Sequence, residues 1–317
     1  MQKPLLSIAV ITYNQENYIA KTLDSILLQE HNYDYEIIVG EDNSSDNTKK
    51  IIEEYVVKYP DIIKPLYNNP NKGLIQNYFN VIAHCKGKYI MQCAGDDYWL
   101  PGKVKTQIKY MENNPDVGMC YGTAYFLDVK TNQFLEGLFG GKCETFQDLM
   151  QRNNIPALTV CIKNDVLNHY IENINPKSQN WLMEDYPTWL WVSQNSIISF
   201  LDTPFGVYRC NQDSASSPKN FEKRIRFLTS SFEIKEFYSH LYSVEIPGEN
   251  GFISAFYLCF NKLIENFTPP EQKLMHQMYK KIPKKNFKIN LFYFCSMTKF
   301  SFRLLILFRD FLSEIKN

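Results

Sequence analysis

The central motif of this chain is Cys93-Ala94-Gly95-Asp96-Asp97-Tyr98-Trp99. The apolar run over residues 88–93 is typical of a short buried strand. Pro101 favours the start of a helix just beyond it, because proline suits the first helical turn. Two adjacent carboxylates therefore follow the carboxyl end of a strand and precede a helix, which is where open α/β sheets bind ligands.

The two carboxylates need a counter-charge. Neighbouring side chains of a regular strand point to opposite faces, but Gly95 loosens the backbone so that Asp96 and Asp97 can turn into one cleft. Carboxylates that close together repel unless a cation or a proton holds them. A hard divalent ion that bridges the pair to substrate phosphates accounts for it. The alternative is a solvated turn, since Asp and Gly are common turn residues.

Strand and helix patterns alternate along the first part of the chain, which predicts a parallel sheet with right-handed crossovers. Strand patterns occupy residues 5–13, 35–40, 62–67 and 88–93, and helical spacing occupies residues 18–27, 51–56 and 74–85.

The regular alternation of strand and helix patterns ends after Pro115. Strands are predicted over residues 117–128, 155–162, 196–201 and 205–210, a hairpin turn over 130–133, and a helix within 181–194 once past Pro187. From residue 221 onward the pattern is helical without strand signals. A soft boundary near residue 218 therefore separates an α/β domain, residues 1–217, from a helical C-terminal extension, residues 218–317.

The composition bounds the class of protein. The chain has 317 residues, which fits one large domain plus an extension, and its 34 basic and 34 acidic residues do not suggest a nucleic-acid partner. Its eight cysteines and five histidines lack metal-ligand spacing, and scattered cysteines are typical of buried thiols in a reducing compartment. The apolar run over 5–11 has no cleavage site and is interpreted as a first strand. These features predict a cytoplasmic protein.

The tail from Lys273 is basic, and its last stretch, residues 291–312, is rich in phenylalanine. Lys299, Arg303 and Arg309 interrupt this stretch and argue against a membrane-spanning helix. A basic, aromatic helix of this kind can make peripheral contact with an anionic membrane at its inner face. The alternative is a helix packed on its own domain with a solvated basic face.

Three strand ends are predicted to line up along one edge of the sheet: residues 12–14, Glu41-Asp42 and Asp96-Asp97. They describe a crevice with an aromatic wall and carboxylates at two depths. The sequence contains no Gly-X-Gly-X-X-Gly loop and no Walker lysine motif. A nucleotide bound here would need its diphosphate neutralised by a metal held on carboxylates, which argues against dinucleotide redox cofactors and ATPases.

Several ordered motifs over residues 4–215 resemble those of family 2 glycosyltransferases of the GT-A fold. The segment Ile11-Thr12-Tyr13-Asn14 with Tyr18 is similar to the first nucleotide-binding strand of that family. Residues 41–46, Glu-Asp-Asn-Ser-Ser-Asp, resemble its Asp-Asp-Gly-Ser-X-Asp turn, whose carboxylates contact the base. Asn71-Lys72-Gly73 followed by Asn77 matches its Asn-X-Gly segment beside the nucleotide.

The later motifs carry the chemistry that the resemblance implies. Residues 95–99 are similar to a subgroup with Glu-Gly-Asp-Asp-Tyr-Trp, which places Asp96 toward the ribose and Asp97 on Mn²⁺ or Mg²⁺. Glu184-Asp185 resembles a Glu-Asp pair whose Asp is the catalytic base, with Glu184 as the second choice or the orienting group. Residues 208–209, Tyr-Arg, with Ser214 and Ser216 look like the Tyr-Arg-X-His…Ser-X-Ser segment that covers the site.

Tryptophans surround the proposed base in the sequence. A pocket walled by Trp181, Trp189 and Trp191 would raise the pKa of Asp185 by desolvation, which suits a general base. The alternative is that Glu184 and Asp185 form the negative first turn of a helix, favoured by its dipole.

The chain departs from the family pattern at three positions. Ala94 stands where the subgroup has an acidic residue, which removes one metal or ribose contact. Asn211 replaces the histidine of the covering segment, so an ion would have a weaker oxygen donor or a water there. Glu41 replaces the first Asp of the base-contacting pair and can alter nucleotide preference.

The resemblance predicts an α/β GT-A fold, a Rossmann-like and mostly parallel sheet with residues 1–217 as the nucleotide-sugar-binding and catalytic domain. The expected activity is metal-dependent, inverting transfer of a hexosyl or N-acetylhexosaminyl group from a UDP-sugar. The expected acceptor is a saccharide or a lipid-linked glycan of surface polysaccharide biosynthesis. One alternative is a non-catalytic nucleotide-sugar or glycan-binding module. Another is a nucleotidyltransferase, which needs a Gly-rich, basic loop that residues 11–16 lack.

Overall fold

The computed structural model describes residues 3–211, 220–247, 250–265, 267–299 and 301–303. The chain divides into two compact units, Met1–Gln212 and Asp213–Asn317. The functional division into a catalytic domain and an extension stays a prediction. Ser214 and Ser216 of the predicted covering segment, and residues 304–312 of the phenylalanine-rich stretch, lie outside the described residues.

Four strands of the first unit form a parallel half-sheet. The elements in order are β1 (Leu6–Thr12), α1 (Ile19–Leu27), β2 (Tyr35–Glu41), α2 (Thr48–Lys58), β3 (Ile63–Tyr67), α3 (Leu74–His84) and β4 (Tyr89–Ala94). Their order across the sheet is β3-β2-β1-β4, with every pair parallel. Ile8, Val10, Ile37 and Val39 are fully buried, as expected for strands covered on both faces. The predicted α/β fold class is confirmed.

The second half of this unit makes the sheet mixed. It contains β5 (Tyr98–Trp99), α4 (Lys103–Asn113), β6 (Val117–Asp128), β7 (Gln133–Phe139), α5 (Phe146–Gln151), β8 (Cys161–Lys163), α6 (Asn164–Ile174), α7 (Asp185–Asn195) and β9 (Ile197–Cys210). The sheet continues from β4 as β8-β6-β9-β5, and β7 pairs with β6 as the predicted hairpin. Strand β9 runs parallel to β6 and antiparallel to β5, which brings its C-terminal end next to Tyr98.

Two strand predictions were wrong in extent. The strand expected over 155–162 is reduced to β8, because Thr159 Oγ1 donates to the carbonyl of Pro156 at 2.8 Å and stabilises a 3-10 turn over Ala157–Thr159. The strands expected over 196–201 and 205–210 are one continuous strand, β9, whose register against β6 shifts near Pro204.

Two helix starts also differ from expectation. Helix α4 begins at Lys103 and not at Pro101, because Gly102 adopts a left-handed φ of 83° and delays the helix. Helix α7 begins at Asp185, so Pro187 lies within its first turn, where the missing N–H of proline costs no intrahelical hydrogen bond.

The second unit is helical, as predicted from residue 221 onward. It contains α8 (Phe221–Tyr242), α9 (Gly251–Glu265), α10 (Pro269–Lys281) and α11 (Phe287–Cys295). Aromatic stacking fixes α11 on its neighbours, with ring centroids 4.1 Å apart for Phe260 and Phe292 and 3.6 Å apart for Tyr279 and Tyr293. Within the described ranges, none of the helices combines the length and the hydropathy needed to cross a bilayer.

A lysine is buried in the core of the first unit. The side chain of Lys103 is fully buried, and its ammonium lies 4.7 Å from the ring centroid of Trp99. It donates hydrogen bonds to Gln107 Oε1 and to the carbonyl of Val160. Because burial penalises the charged form, the pKa of Lys103 is lowered to about 8.

We expect this lysine to make stability depend on pH. The unfolded chain binds its lysine proton up to about pH 10.4, whereas the folded state releases it near pH 8. Between these values the unfolded state binds more protons, so the free energy of unfolding should rise with pH by on the order of 3 kcal/mol relative to Lys103→Met. Urea denaturation across this window measures the difference. Lys105→Met, at an exposed position of the same helix, is the matched control, and a pH-independent difference for Lys103→Met would contradict the assignment.

Candidate active site

The three predicted strand ends lie side by side. Thr12 of β1 is in register with Glu41 of β2, and Ile11 is in register with Ala94 of β4. The backbone continues this alignment past the strands, because Gly95 N donates to the carbonyl of Ile11 at 2.9 Å. The structure therefore brings the three segments that the sequence singled out to one edge of the sheet.

The loops after β1 and β2 hold each other. Asn14 adopts a left-handed φ of 53°, and its Oδ1 accepts from Ser45 N at 2.8 Å while its own N–H donates to Ser44 Oγ at 2.9 Å. Glu41 is buried, and its Oε1 accepts from Ser44 N at 2.6 Å. Tyr13 is half exposed beside them. The predicted nucleotide contacts of these residues stay predictions, and their observed role is to shape the loops.

Asp42 organises the loop that carries Lys72. Its Oδ1 accepts from Asn68 Nδ2 at 2.9 Å and from Lys72 N at 2.8 Å, and its Oδ2 accepts from Gly73 N at 2.8 Å. Asn77 is buried, with its amide donating to the carbonyl of Gly40 and its Oδ1 accepting from Asn68. The contacts thus make Asp42 and Asn77 braces of the loop, with the exposed Lys72 side chain beyond them.

Sequence reasoning missed Asn68, which joins Asp42 to Asn77. The only signal for it was its place at the end of the third predicted strand, at the same sheet edge as the other site residues.

Hydrogen bonds from the Thr22 side chain hold the backbone beside Asp96 and Asp97. Thr22 Oγ1 lies 2.6 Å from the carbonyl of Asp97 and 2.9 Å from that of Gly95. A Cβ added to Gly95 would lie 2.4 Å from Gln15 Oε1 and 2.7 Å from Thr12 Oγ1, so only glycine fits against these oxygens. Asp97 is buried, and Asp96 is partly exposed.

Arg209 lies against both aspartates. Its backbone N–H donates to Asp97 Oδ1 at 2.9 Å, and its Nη1 donates to the carbonyl of Asp96 at 2.5 Å. The guanidinium carbon is 5.1 Å from the ring centroid of Tyr18 and 4.7 Å from that of Tyr98, which are distances at which rings attract cations. The clamp of Tyr18 and Tyr98 holds a positive charge beside the acid pair.

Ionising both Asp96 and Asp97 remains unfavourable. Burial raises the pKa of Asp97 well above its ordinary value, and the charge of Asp96 raises it further. Burial also raises the pKa of Asp96, although the positive charge of Arg209 counters it. Two adjacent carboxyl groups with raised pKa values, one of them buried, need a further cation to ionise together.

The donor set fits a hard divalent ion. Thr12 Oγ1 and Gln15 Oε1 are buried without a hydrogen-bond partner, and both lie against Gly95, the residue that precedes the two aspartates in the chain. Oxygen-only sets suit Mg²⁺ and Mn²⁺. Across the described part of the chain, three or more His, Cys, Asp or Glu side chains are nowhere grouped as metal ligands. An ion at Asp97 would therefore share its shell with substrate phosphates or water, as Mg²⁺ commonly does.

The second acid pair opens α7. Asp185 Oδ1 accepts from Tyr186 N at 2.6 Å, and its Oδ2 accepts from Asn153 Nδ2 at 3.3 Å. Burial raises the pKa of Asp185, and it raises that of Glu184 to about 8 together with the charge of Asp185. The expected direction of the Asp185 pKa shift is therefore seen, and its catalytic role stays a prediction.

Tyr78 is a tyrosine whose pKa responds to the charges of Glu184 and Asp185. Burial raises the pKa of Tyr78 well above its ordinary value, and the nearby charges of Glu184 and Asp185 add to the shift. The hydroxyl of Tyr78 donates to Gln92 Oε1 of β4 at 2.7 Å. This hydrogen bond joins α3 to β4, the strand that precedes Asp96 and Asp97. The expected tryptophans, Trp181, Trp189 and Trp191, are buried.

Comparisons with known proteins find a matching family model, similar proteins and similar solved structures. The model described as Glycosyl transferase family 2 matches residues 7–164. The chain is 29% identical over 222 residues to the Escherichia coli protein named UDP-Glc:alpha-D-GlcNAc-diphosphoundecaprenol beta-1,3-glucosyltransferase WfgD, covering 69% of this chain and 82% of that one. The match to uncharacterised relatives from Mycobacterium tuberculosis and Mycobacterium bovis spans 34% of their length.

Solved structures share the fold. S. aureus TarS in complex with UDP-GlcNAc has a TM-score of 0.61 at 15% identity, covering 87% of this chain and 80% of that chain. The mannosyltransferase PcManGT from Pyrobaculum calidifontis, in complex with GDP-Man and Mn²⁺, has a TM-score of 0.55 at 12% identity, covering 93% and 85%. Residues 7–164 therefore match the glycosyl transferase family 2 model, and the chain shares the GT-A fold of these solved glycosyltransferases.

Proposed function

We propose that the protein transfers a sugar from a UDP-sugar to a saccharide or lipid-linked acceptor, with a divalent ion and with inversion at the anomeric carbon. The observation that carries this proposal is the Asp96-Asp97 pair with Arg209 at the carboxyl end of β4, next to the Thr12 and Asp42 loops. The similarity of residues 95–99 to the Glu-Gly-Asp-Asp-Tyr-Trp subgroup belongs to the same proposal.

The names of similar proteins support the donor and the acceptor. TarS was solved with UDP-GlcNAc, and PcManGT with GDP-Man and Mn²⁺. The name of WfgD gives UDP-Glc as its donor and a diphosphoundecaprenol-linked sugar as its acceptor. We propose a lipid-linked acceptor for this chain as well, in surface polysaccharide biosynthesis at the cytoplasmic face of the membrane.

In this proposal Asp97 holds Mn²⁺ or Mg²⁺, which when bound offsets the charge that develops on the leaving diphosphate. Arg209 adds a fixed positive charge beside the same carboxylates. Asp185 accepts the proton of the acceptor hydroxyl. The oxygen of that hydroxyl bonds to the anomeric carbon as the bond from the same carbon to the diphosphate breaks. Attack from the side opposite the leaving group inverts the configuration. Glu184 orients Asp185 or is the second candidate for the base.

We expect ion-dependent stabilisation by nucleotide. UDP with Mn²⁺ should raise the melting temperature, because a ligand at about 100 times its Kd adds about 2.7 kcal/mol to the folded state. Asp97→Asn should lose the ion-dependent part, since the amide keeps the shape and the acceptor for Arg209 N but not the charge. Asp61→Asn, at an exposed position, is the matched control. An unchanged ion-dependent part in Asp97→Asn would contradict the metal assignment.

Asp185→Asn should separate catalysis from binding. We expect kcat to fall about 10²–10⁴-fold, because the amide cannot accept the proton, while stabilisation by UDP and Mn²⁺ persists. Glu184→Gln should cost less if Glu184 only orients the base. Single-turnover transfer to a soluble acceptor measures both variants. If Glu184→Gln is the more damaging change, the base is Glu184. If no donor and acceptor pair gives turnover in the wild type, the result favours the alternative of a non-catalytic binding module.

The pH dependence of kcat should carry an acid limb. The base must be ionised to accept a proton, and burial raises the pKa of both Asp185 and Glu184. Activity should therefore fall as pH decreases through an apparent pKa above the ordinary carboxylate value of about 4. A kcat profile of the wild type measures this limb. A limb at the ordinary value would mean that the base is a solvated carboxylate.

A further inference from the structure

Helix α11 is apolar on two opposite sides. Ile289 and Phe292 pack into the helical core of the second unit. On the other side, Phe287, Leu291 and Phe294 follow the spacing i, i+4, i+7, which places them on one face. Phe287 is 81% exposed and Phe294 is 63% exposed, so this side, here called the α11 face, carries large apolar side chains in solvent. A contiguous row of large apolar side chains in solvent commonly marks an interaction surface.

Positive charge accompanies the α11 face. Lys284 and Lys288 are exposed just before and within its first turn. The sequence has no Asp or Glu between Glu271 and Asp310, so the whole region carries one sign of charge. Lysines at a helix N-terminus oppose the helix dipole, so the dipole does not account for them. The ammonium of Lys288 also lies 5.4 Å from the ring centroid of Tyr257 and 5.6 Å from that of Phe292.

We propose that the α11 face and its lysines form a docking surface for an anionic lipid bilayer. The phenylalanines would enter the boundary between headgroups and acyl chains, and the lysines would meet the anionic headgroups. Charge of one sign around an apolar row complements a surface of uniform opposite charge, which favours a bilayer over a protein partner. This inference deepens the proposed function and rests on it, since a lipid-linked acceptor lies in a bilayer.

Co-sedimentation of the full chain with vesicles tests the apolar contact. We expect binding to phosphatidylcholine vesicles that contain phosphatidylglycerol and much weaker binding to phosphatidylcholine alone. The double variant Phe287→Ser with Phe294→Ser should lower the affinity roughly tenfold or more, since binding scales with buried apolar area. Phe134→Ser is the matched control, because Phe134 is 59% exposed on β7, away from this helix in the chain.

A second pair of variants tests the charge. Lys284→Gln and Lys288→Gln should each weaken binding to the anionic vesicles roughly fivefold, and added salt should weaken binding of the wild type. All these side chains are exposed, so the variants should melt like the wild type.

The proposal is overturned if the wild type does not sediment with the anionic vesicles, or if it binds neutral vesicles equally. It is also overturned if the phenylalanine variants bind like the wild type. A change of oligomeric mass in the phenylalanine variants, without vesicle binding by the wild type, would assign the face to a protein contact instead. Nucleotide-dependent melting and transfer to a soluble acceptor, measured on the same preparations, keep failure of docking distinct from failure of the proposed function.

Discussion

The first unit depends on one unfavourable arrangement, two adjacent carboxyl groups held at the edge of a sheet with one of them buried. Charge in such a place is costly unless it is paired and hydrogen-bonded. Arg209 supplies a backbone N–H to Asp97 and a guanidinium donor to the Asp96 carbonyl. Thr22 fixes the same loop from the other side. In the proposed function, a divalent ion shared with a diphosphate would complete this balance of charge.

The strand order of the sheet places Arg209 beside the two aspartates. The parallel order β3-β2-β1-β4 gathers three polar strand ends at one edge. Strand β9 then returns beside β5 and brings Arg209 to Asp97 across 112 residues of sequence. The bracing of the 68–73 loop by Asp42 and Asn77 keeps the neighbouring strand end in place. Helix α3 is held to β4 by the hydrogen bond from Tyr78 to Gln92.

Local patterns were enough to predict the alternation of strands and helices and the alignment of Thr12, Glu41 and Asp96 at one edge. These patterns act over a few residues, and parallel pairing of the strands then aligns their carboxyl ends at one edge. The role of Asn68, the short strand β5 and the position of Arg209 depend on long-range register, which periodicity does not encode. The turn at Pro156 was missed because a local hydrogen bond from Thr159 outweighed the strand pattern. The burial of Lys103 was missed because it depends on tertiary contacts such as that with the carbonyl of Val160.

The most direct measurement is a crystal structure of the full chain with UDP and Mn²⁺, with the ion located by its anomalous scattering. We expect a Mn²⁺ about 2 Å from a carboxylate oxygen of Asp97 and from the diphosphate. We also expect Asp185 in the same cleft, on the side where the acceptor enters. An ion bound elsewhere, or Asp185 in a separate cavity, would contradict it.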